Sequence, residues 1–137
     1  MIYKKSCGFV VYKKVQGVYC YLIIQANNGE YGFPKGHMEH AENEIETAVR
    51  ELREETNLEV RVIPGFRRQL EYPFPNKPDV MKIAVYFIGE CVGEDLVCQE
   101  AEVAEAMFVP FERAMELLSF EETKQVLREA DAFIGNG

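Results

Sequence analysis

The chain has 137 residues, 47% of them hydrophobic, and 15 basic against 23 acidic residues give it a formal net charge of −8. This length suits a single domain with a substantial core, which we expect over residues 1–137. An acidic balance argues against general nucleic-acid binding, because phosphate binding needs basic patches. The N-terminal apolar run is too short for a signal peptide or a membrane span, so we expect a cytosolic protein without membrane partners.

The first strands and loops are predicted from strand-forming residues and from residues typical of turns. Residues rich in β-branched and aromatic side chains predict a β-hairpin over 2–14 and 18–25, with its turn at Gln16-Gly17. Residues 25–36 contain Asn27-Asn28-Gly29 and Pro34, which predicts a loop. The four cysteines, Cys7, Cys20, Cys91 and Cys98, show no CxxC pairing. We expect buried thiols, with zinc or disulfide binding as the alternative.

An acidic helix is predicted from Asn43 to Asn57. Asn43 and Glu46 fit a capping box, and Asn57 suits the left-handed position that ends a helix. Its predicted buried stripe consists of Ile45, Ala48, Val49, Leu52 and Thr56. Glu51, Glu54 and Glu55 crowd one side of the helix within about one turn. The helix alone leaves two interpretations open: a solvated face with an ordinary Arg50–Glu54 pair, or a site for a hard cation such as Mg²⁺.

The second half of the chain predicts strands followed by helices. Residues 59–72 are predicted as one or two strands bent at Pro64-Gly65, residues 73–79 as a proline-rich loop, and residues 80–92 as the strongest strand. An acidic connection over 93–105 and a short strand over 106–109 follow. Pro110 suits the first turn of a helix over about 110–119, and a terminal helix covers 120–133. Its apolar side is formed by Val126, Leu127, Ala130, Phe133 and Ile134. The order of these strands and helices along the chain predicts an α/β or α+β domain with a mixed sheet.

The spacing of one segment is far more specific than its composition. Gly36, Glu42, Arg50-Glu51-Leu52, Glu54-Glu55 and Leu58 resemble the Nudix box, Gly-x5-Glu-x7-Arg-Glu-U-x-Glu-Glu-x-Gly-U, in which U is apolar. The one departure is Asn57 in place of the second glycine. Because Asn is the best non-glycine residue for a left-handed backbone, we expect this departure to be tolerated. The resemblance implies an α/β/α sandwich with a mixed β-sheet between helices.

The resemblance also implies an activity and the residues that carry it. Nudix enzymes hydrolyse a nucleoside diphosphate linked to another moiety, with Mg²⁺ as the cofactor and Mn²⁺ as a substitute. Glu51, Glu54 and Glu55 would supply metal ligands and the base, and the Gly36 carbonyl would add a ligand. Arg50 would orient the carboxylates, and Glu42 would be structural. Glu102 is the candidate for a fourth ligand or general base, with Glu105 and Glu100 as alternatives and a solvated acidic loop as the simpler interpretation.

Features outside the box resemble the asymmetrical diadenosine tetraphosphate hydrolases within that family. They are Cys7-Gly8, the segment from Phe33 to Glu39, the segment from Gly65 to Tyr72, Lys82 before Tyr86-Phe87, and Ser119-Phe120 with Lys124. The resemblance implies hydrolysis of diadenosine tetraphosphate to ATP and AMP. Lys35, His37 and Lys82 could hold phosphate oxygens, and Tyr72 could stack on adenine. Each also has a plain structural interpretation, and Phe120 is expected in the core.

Other functions stay open at this point. One is another Nudix specificity, such as removal of RNA 5′-pyrophosphate or hydrolysis of diphosphoinositol polyphosphates. The acidic balance argues against RNA, and the lack of a Lys/Arg cluster argues against inositol ligands. A non-catalytic module that senses nucleotides is a second option, although such modules usually lose box glutamates that are present here. A purely structural acidic domain is a third. The sequence does not predict the oligomeric state.

Overall fold

The computed structural model describes residues 2–74, 76–93 and 103–136. The strands are β1 (Ile2–Val15), β2 (Val18–Ala26), β3 (Tyr31–Gly32), β4 (Lys35–His37), β5 (Glu59–Phe74), β6 (Lys77–Val92) and β7 (Val103–Pro110). The helices are α1 (Glu44–Thr56), α2 (Phe111–Leu117) and α3 (Glu121–Asn136). Within these segments no helix is long and apolar enough to cross a membrane.

The strands form one mixed sheet with β1 at its centre. Five strands follow the order β3-β2-β1-β6-β5, while β4 pairs with β1 and β7 pairs with β2. β1 runs parallel to β6 from Ile2 to Tyr12. Two strands share the other edge of β1. β2 pairs with residues 12–15 of β1 and β4 pairs with residues 6–8, both antiparallel. β1 therefore touches the strands that carry most of the candidate site.

Helices cover both faces of the sheet, and side chains alternate between them along each strand. Cys7, Phe9 and Val11 of β1 pack with α1 on what we call the α1 face. Val10 and Tyr12 pack with α2 and α3 on what we call the α3 face. The predicted α/β/α sandwich is confirmed, as are the N-terminal hairpin, the acidic helix and the two C-terminal helices.

Three predicted boundaries are wrong. The loop over 25–36 contains β3 and β4, because the free edges of β2 and β1 offer hydrogen-bonding partners there. The loop over 73–79 is almost absent, since β5 continues to Phe74 and β6 begins at Lys77. Prolines are tolerated at strand positions that need no ladder donor, which is how Pro73 and Pro78 fit into strands. β7 begins at Val103, so part of the predicted acidic connection is strand.

The residues predicted to bend a strand or end a helix do so at the predicted positions. β5 is a single strand whose register with β6 shifts between Ile63 and Arg68, and Gly65 within that shift has a φ of +95°. Asn57 ends α1 in the left-handed conformation with a φ of 62°. Cys7 and Cys20 are buried free thiols and Cys91 is a half-buried one, whereas Cys98 lies outside the described residues.

The orientation of α1 differs from the prediction. Ile45 and Val49, which were expected in the buried stripe, are 38% and 40% exposed, whereas Glu55 is only 5% exposed. Ala48, Leu52 and Thr56 are buried as predicted. At 100° per residue, the buried arc is rotated by roughly 60° from the apolar stripe towards the carboxylates. The helix thus turns its glutamate side towards the sheet.

Candidate functional site

Both ends of α1 are fixed by side-chain and backbone caps. The Asn43 side chain accepts the Glu46 amide hydrogen at 2.8 Å, and the Glu46 carboxylate accepts the Asn43 amide hydrogen at 2.8 Å. This is the predicted capping box. At the other end the Asn57 amide donates to the Arg53 carbonyl at 2.8 Å. The helix therefore holds its glutamates in a defined rotation.

Two glycines allow β4 to lie close to β1 and α1. A Cβ on Gly8 would lie 2.1 Å from the Pro34 carbonyl oxygen and 2.7 Å from Lys35 Cβ. A Cβ on Gly36 would lie 2.0 Å from the carboxyl carbon of Glu51. The Glu51 carboxylate therefore rests directly on Gly36, which brings it beside the backbone that carries the predicted carbonyl ligand.

Arg50 joins the acidic residues around it. Its Nε and one terminal nitrogen bind both oxygens of Glu42, at 2.6 and 3.0 Å. The other terminal nitrogen donates to Glu51 at 2.8 Å and to Glu54 at 3.1 Å. The hydrogen bond from Arg50 lowers the pKa of Glu42 to about 2. The pKa of Arg50 is raised, chiefly by the hydrogen bond with Glu42. Arg50 is therefore a permanent cation, and its partner Glu42 keeps its negative charge at neutral pH.

The three predicted metal-binding glutamates differ in exposure. The side chains of Glu51 and Glu54 are 13% and 50% exposed, and Glu55 is buried. In the described segments no three His, Cys, Asp or Glu side chains converge closely enough to hold a metal ion. Glu51 and Glu54 are drawn together on Arg50 instead. Glu102 and Glu100 lie outside the described residues, and Glu105 lies in β7 opposite Gln25.

A cavity of about 510 Å³ lies beside this helix, between the sheet and the start of α3. Glu55 lines it together with Lys35, Tyr72 and Lys82, so the structure brings one predicted metal ligand next to three of the four predicted substrate-binding residues. Tyr72 and Lys82 are direct partners across β5 and β6. Their side chains therefore point to the same face of the sheet.

Tyr72 lies between two lysine side chains. Lys35 donates to the Tyr72 hydroxyl at 3.0 Å, and the ammonium groups of Lys35 and Lys82 each lie 5.8 Å from the centre of the ring. Burial lowers the pKa of Lys35, but contacts with Tyr86 and Tyr72 outweigh that effect and raise the pKa overall. Lys35 therefore carries its charge at neutral pH and can bind an anion.

His37 is the predicted substrate residue that does not line the cavity. Its side chain is exposed, with Nδ1 3.5 Å from the Ser6 hydroxyl. Its backbone carbonyl accepts a hydrogen bond from Arg50 at 2.9 Å. Because His37 pairs with Ser6, it lies on the α3 face one row from Lys35. It is thus near the cavity but beyond its wall.

Part of the cavity wall consists of residues that the sequence did not predict there. Phe120 was expected in the core, but it is 47% exposed and lines the cavity, as do Tyr31, Glu30 and Glu122. Ser119 joins these walls: its hydroxyl accepts the Tyr31 amide hydrogen at 2.8 Å, and its own amide donates to the Tyr31 carbonyl at 3.2 Å. One sequence signal could have indicated this wall. Phe120 is an aromatic residue directly before α3, and the first turn of α3 carries two acidic residues.

Comparison with known proteins agrees with this arrangement. The NUDIX domain family model matches residues 4–130. The asymmetrical bis(5′-nucleosyl)-tetraphosphatase of Rattus norvegicus is 32% identical over 142 residues, which cover 95% of each chain. The enzyme of that name from Caenorhabditis elegans is 27% identical over 135 residues, covering 95% of this chain and 96% of its own.

Solved structures extend the comparison. The C. elegans Ap4A hydrolase, in a binary complex, superposes with a TM-score of 0.89 at 25% identity, covering 98% of this chain and 99% of its own. The NUDIX domain of Shewanella oneidensis NrtR, crystallised with ADP ribose, shares the fold at a TM-score of 0.76 and 16% identity. It covers 98% of this chain and 90% of its own. Nudix hydrolases generally require a divalent metal. The chain belongs to the Nudix family and is a Nudix pyrophosphohydrolase.

Proposed function

We propose that this enzyme hydrolyses dinucleoside polyphosphates, and diadenosine tetraphosphate most readily, giving ATP and AMP with Mg²⁺ as the cofactor. The observation that supports this best is the cavity that Glu55 shares with Lys35, Tyr72 and Lys82. It combines a carboxylate of the Nudix helix, an aromatic ring and two cations. A nucleotide has the complementary parts, since the base can stack on the ring and the phosphates can bind the lysines.

The proposed metal site fits the donors that the chain offers. Glu51, Glu54, Glu55 and the Gly36 carbonyl are oxygen donors of the kind that Mg²⁺ prefers. Gly36 also provides the space that a side chain would take from Glu51. Glu51 and Glu54 would exchange part of their contact with Arg50 for contact with the ion. When bound, the metal supplies positive charge that stabilises the phosphate oxygens during attack by water. Glu102 stays a proposed fourth ligand.

The chain's own residues have separate tasks in this proposal. Lys35 and Lys82 bind the phosphate chain, with His37 at its side, and Tyr72 orients the base by stacking. Arg50 positions Glu51 and Glu54 through its two hydrogen bonds. A glutamate of the helix accepts the proton of the attacking water. Residues 1–137 form a single Nudix domain in this proposal, and a cytosolic location stays a prediction.

A substrate panel with product analysis tests the proposed specificity. Purified protein with Mg²⁺ would be given diadenosine tetraphosphate, NADH, ADP-ribose and capped RNA at equal concentrations. We expect the highest kcat/KM for diadenosine tetraphosphate and unequal products, ATP and AMP. Two molecules of ADP would contradict asymmetric cleavage. Equal or faster turnover of any other substrate would remove the substrate assignment while leaving the family and the fold intact.

A further inference from the structure

The Tyr72 hydroxyl has a proton that no described residue accepts. The hydroxyl accepts a hydrogen bond from the Lys35 ammonium group at 3.0 Å, and Lys35 is its only hydrogen-bond partner within the described segments. A lysine ammonium group can only donate, whereas a phenol has one donor and two acceptor sites. Lys35 therefore occupies an acceptor site and leaves the O–H group able to donate. None of the three glutamates that line the cavity, Glu30, Glu55 and Glu122, accepts that proton.

The fold fixes Lys35 in the position from which it binds this hydroxyl. Lys35 pairs with Gly8, and Gly8 pairs with Tyr86 on the next strand, so the three residues form one row across β4, β1 and β6. A Cβ on Gly8 would lie 2.7 Å from Lys35 Cβ, so the missing side chain makes room for the lysine stem. Tyr86 is 1% exposed, and contacts with Tyr86 and Tyr72 raise the pKa of Lys35 against the effect of burial. Two phenol groups therefore hold the ammonium group.

The hydroxyl lies where an anion can contact two cations as well. Tyr72 lines the cavity with Lys35 and Lys82, and each ammonium group is 5.8 Å from the centre of the Tyr72 ring. An anionic acceptor bound here interacts with both positive charges and with the phenol, and hydrogen bonds to charged acceptors are about twice as strong as neutral ones. A base stacked on the ring uses its face, so the hydroxyl at the ring edge stays available to a phosphate oxygen.

We propose that the Tyr72 hydroxyl donates a hydrogen bond to a phosphate oxygen of the substrate, with Lys35 directing its proton, so that Tyr72 contacts both the base and the phosphate chain. The inference rests on the proposed function, which places the phosphates at Lys35 and Lys82. Donation by Lys35 polarises the phenol and makes it a stronger donor. Because the two residues share this hydrogen bond, their contributions to phosphate binding are coupled.

The test compares Tyr72→Phe with the wild type, because phenylalanine keeps the ring and removes only the hydroxyl. Tyr19→Phe is the matched control, since Tyr19 also has a lysine over its ring, with the Lys14 ammonium group 5.1 Å from the ring centre, but does not line the cavity. Titration calorimetry in Mg²⁺ buffer uses linear inorganic tripolyphosphate, which has no base to stack. We expect Tyr72→Phe to weaken its binding by about tenfold, in line with one hydrogen bond to a charged group. Tyr19→Phe should leave the affinity unchanged.

A double-mutant cycle tests the part played by Lys35. If Lys35 directs the proton, Tyr72→Phe should weaken tripolyphosphate binding less in a Lys35→Ala background than in the wild type. Additive losses would overturn that part. The hydroxyl is not a phosphate ligand if Tyr72→Phe binds tripolyphosphate as tightly as Tyr19→Phe, or if the wild type does not bind it. Thermal unfolding shows whether each variant is folded.

Hydrolysis assays separate this inference from the proposed function. If the wild type does not hydrolyse dinucleoside polyphosphates but Tyr72→Phe still weakens tripolyphosphate binding, the proposed function fails and the role of the hydroxyl stands. If the wild type hydrolyses diadenosine tetraphosphate and Tyr72→Phe keeps both the wild-type KM and the wild-type affinity for tripolyphosphate, only this inference fails.

Discussion

Glu55 is the acidic residue of α1 that the fold removes most completely from water. It is 5% exposed, whereas the neighbouring Glu54 side chain is 50% exposed. Burying a carboxylate is costly unless a cation or hydrogen bonds compensate for the lost hydration. A helix that served only stability would place a hydrophobic residue here. The burial therefore favours a functional interpretation of Glu55, either as a metal ligand or as the base.

Replacing Glu55 tests that interpretation. Glu55→Gln keeps the shape of the side chain and removes its charge, so we expect kcat to fall by at least about a hundredfold. Steady-state kinetics at saturating Mg²⁺ measure this, with Glu112→Gln, at an exposed position on α2, as the control. Thermal unfolding should show that the variant is folded. Near-normal turnover by Glu55→Gln would remove Glu55 from the proposed site.

At the level of elements, the two glycines where β4 packs closely are expected to affect stability and activity differently when they are replaced. A Cβ on Gly8 would meet the Pro34 carbonyl oxygen, a backbone atom that cannot move independently of β4. A Cβ on Gly36 would meet the carboxylate of Glu51, which is the end of a flexible side chain. The same change, glycine to alanine, should therefore have different consequences at the two positions.

We expect Gly8→Ala to lower the free energy of unfolding by about 1–3 kcal/mol, as overpacking usually does. Gly36→Ala should cost less stability, because Glu51 can turn aside, but should lower kcat by about tenfold or more through the displaced carboxylate. Chemical denaturation and kinetics on both variants measure the two effects. The interpretation fails if Gly36→Ala is the less stable variant and retains full activity.

Sequence information predicts elements best where local chemistry decides the structure. Asn43 and Asn57 are caps whose side chain or backbone conformation acts within a few residues, and both predictions are confirmed. The rotation of α1 is different. Ile45 and Val49 would be buried if the apolar pattern alone oriented the helix, but the glutamate side is turned inward instead. Conflicts of this kind between pattern and structure are expected at functional sites.

Only some of the cavity residues could be predicted from the sequence, because the others are brought there by long-range contacts. Lys35, Tyr72 and Lys82 were found through resemblance, and the pairing of β5 with β6 brings two of them together. Phe120 was expected in the core, but it is 47% exposed. The segment that leads to it is held by hydrogen bonds between Ser119 and Tyr31, which are 88 residues apart in the chain. No local pattern contains that contact.

For the whole molecule, acid is expected to weaken the fold by releasing α1 from the sheet. Glu44 in the first turn of α1 binds Lys5 of β1 and Arg67 of β5, each at 2.8 Å. The hydrogen bond from Arg67 is the main cause that lowers the pKa of Glu44 from 4.5 to about 2. A carboxyl group whose pKa is lower in the folded state stabilises the fold above its unfolded pKa. That contribution is lost as the pH falls towards the folded pKa.

The pH range over which this stabilisation is lost is therefore defined by the two pKa values. We expect the melting temperature to fall between about pH 4.5 and pH 2, the ordinary and folded values for Glu44. Glu44→Gln should be less stable at neutral pH and show a shallower decline through that window. Glu112→Gln should keep the wild-type slope. Parallel curves for Glu44→Gln and the wild type would show that these ion pairs do not control acid stability.

The three-residue strand β4 has a consequence for how substrates of different size can be handled. Lys35 and Gly36 are adjacent, so they point to opposite faces of the sheet, one to Tyr72 and the other to Glu51. In the proposed function, Lys35 binds phosphate and the Gly36 carbonyl binds the metal, so a single peptide unit separates the two residues and holds their Cα atoms about 3.8 Å apart. On that proposal, the backbone spacing between these two groups is the same for every substrate. We therefore expect differences in substrate length to be accommodated away from β4, where this strand imposes no spacing.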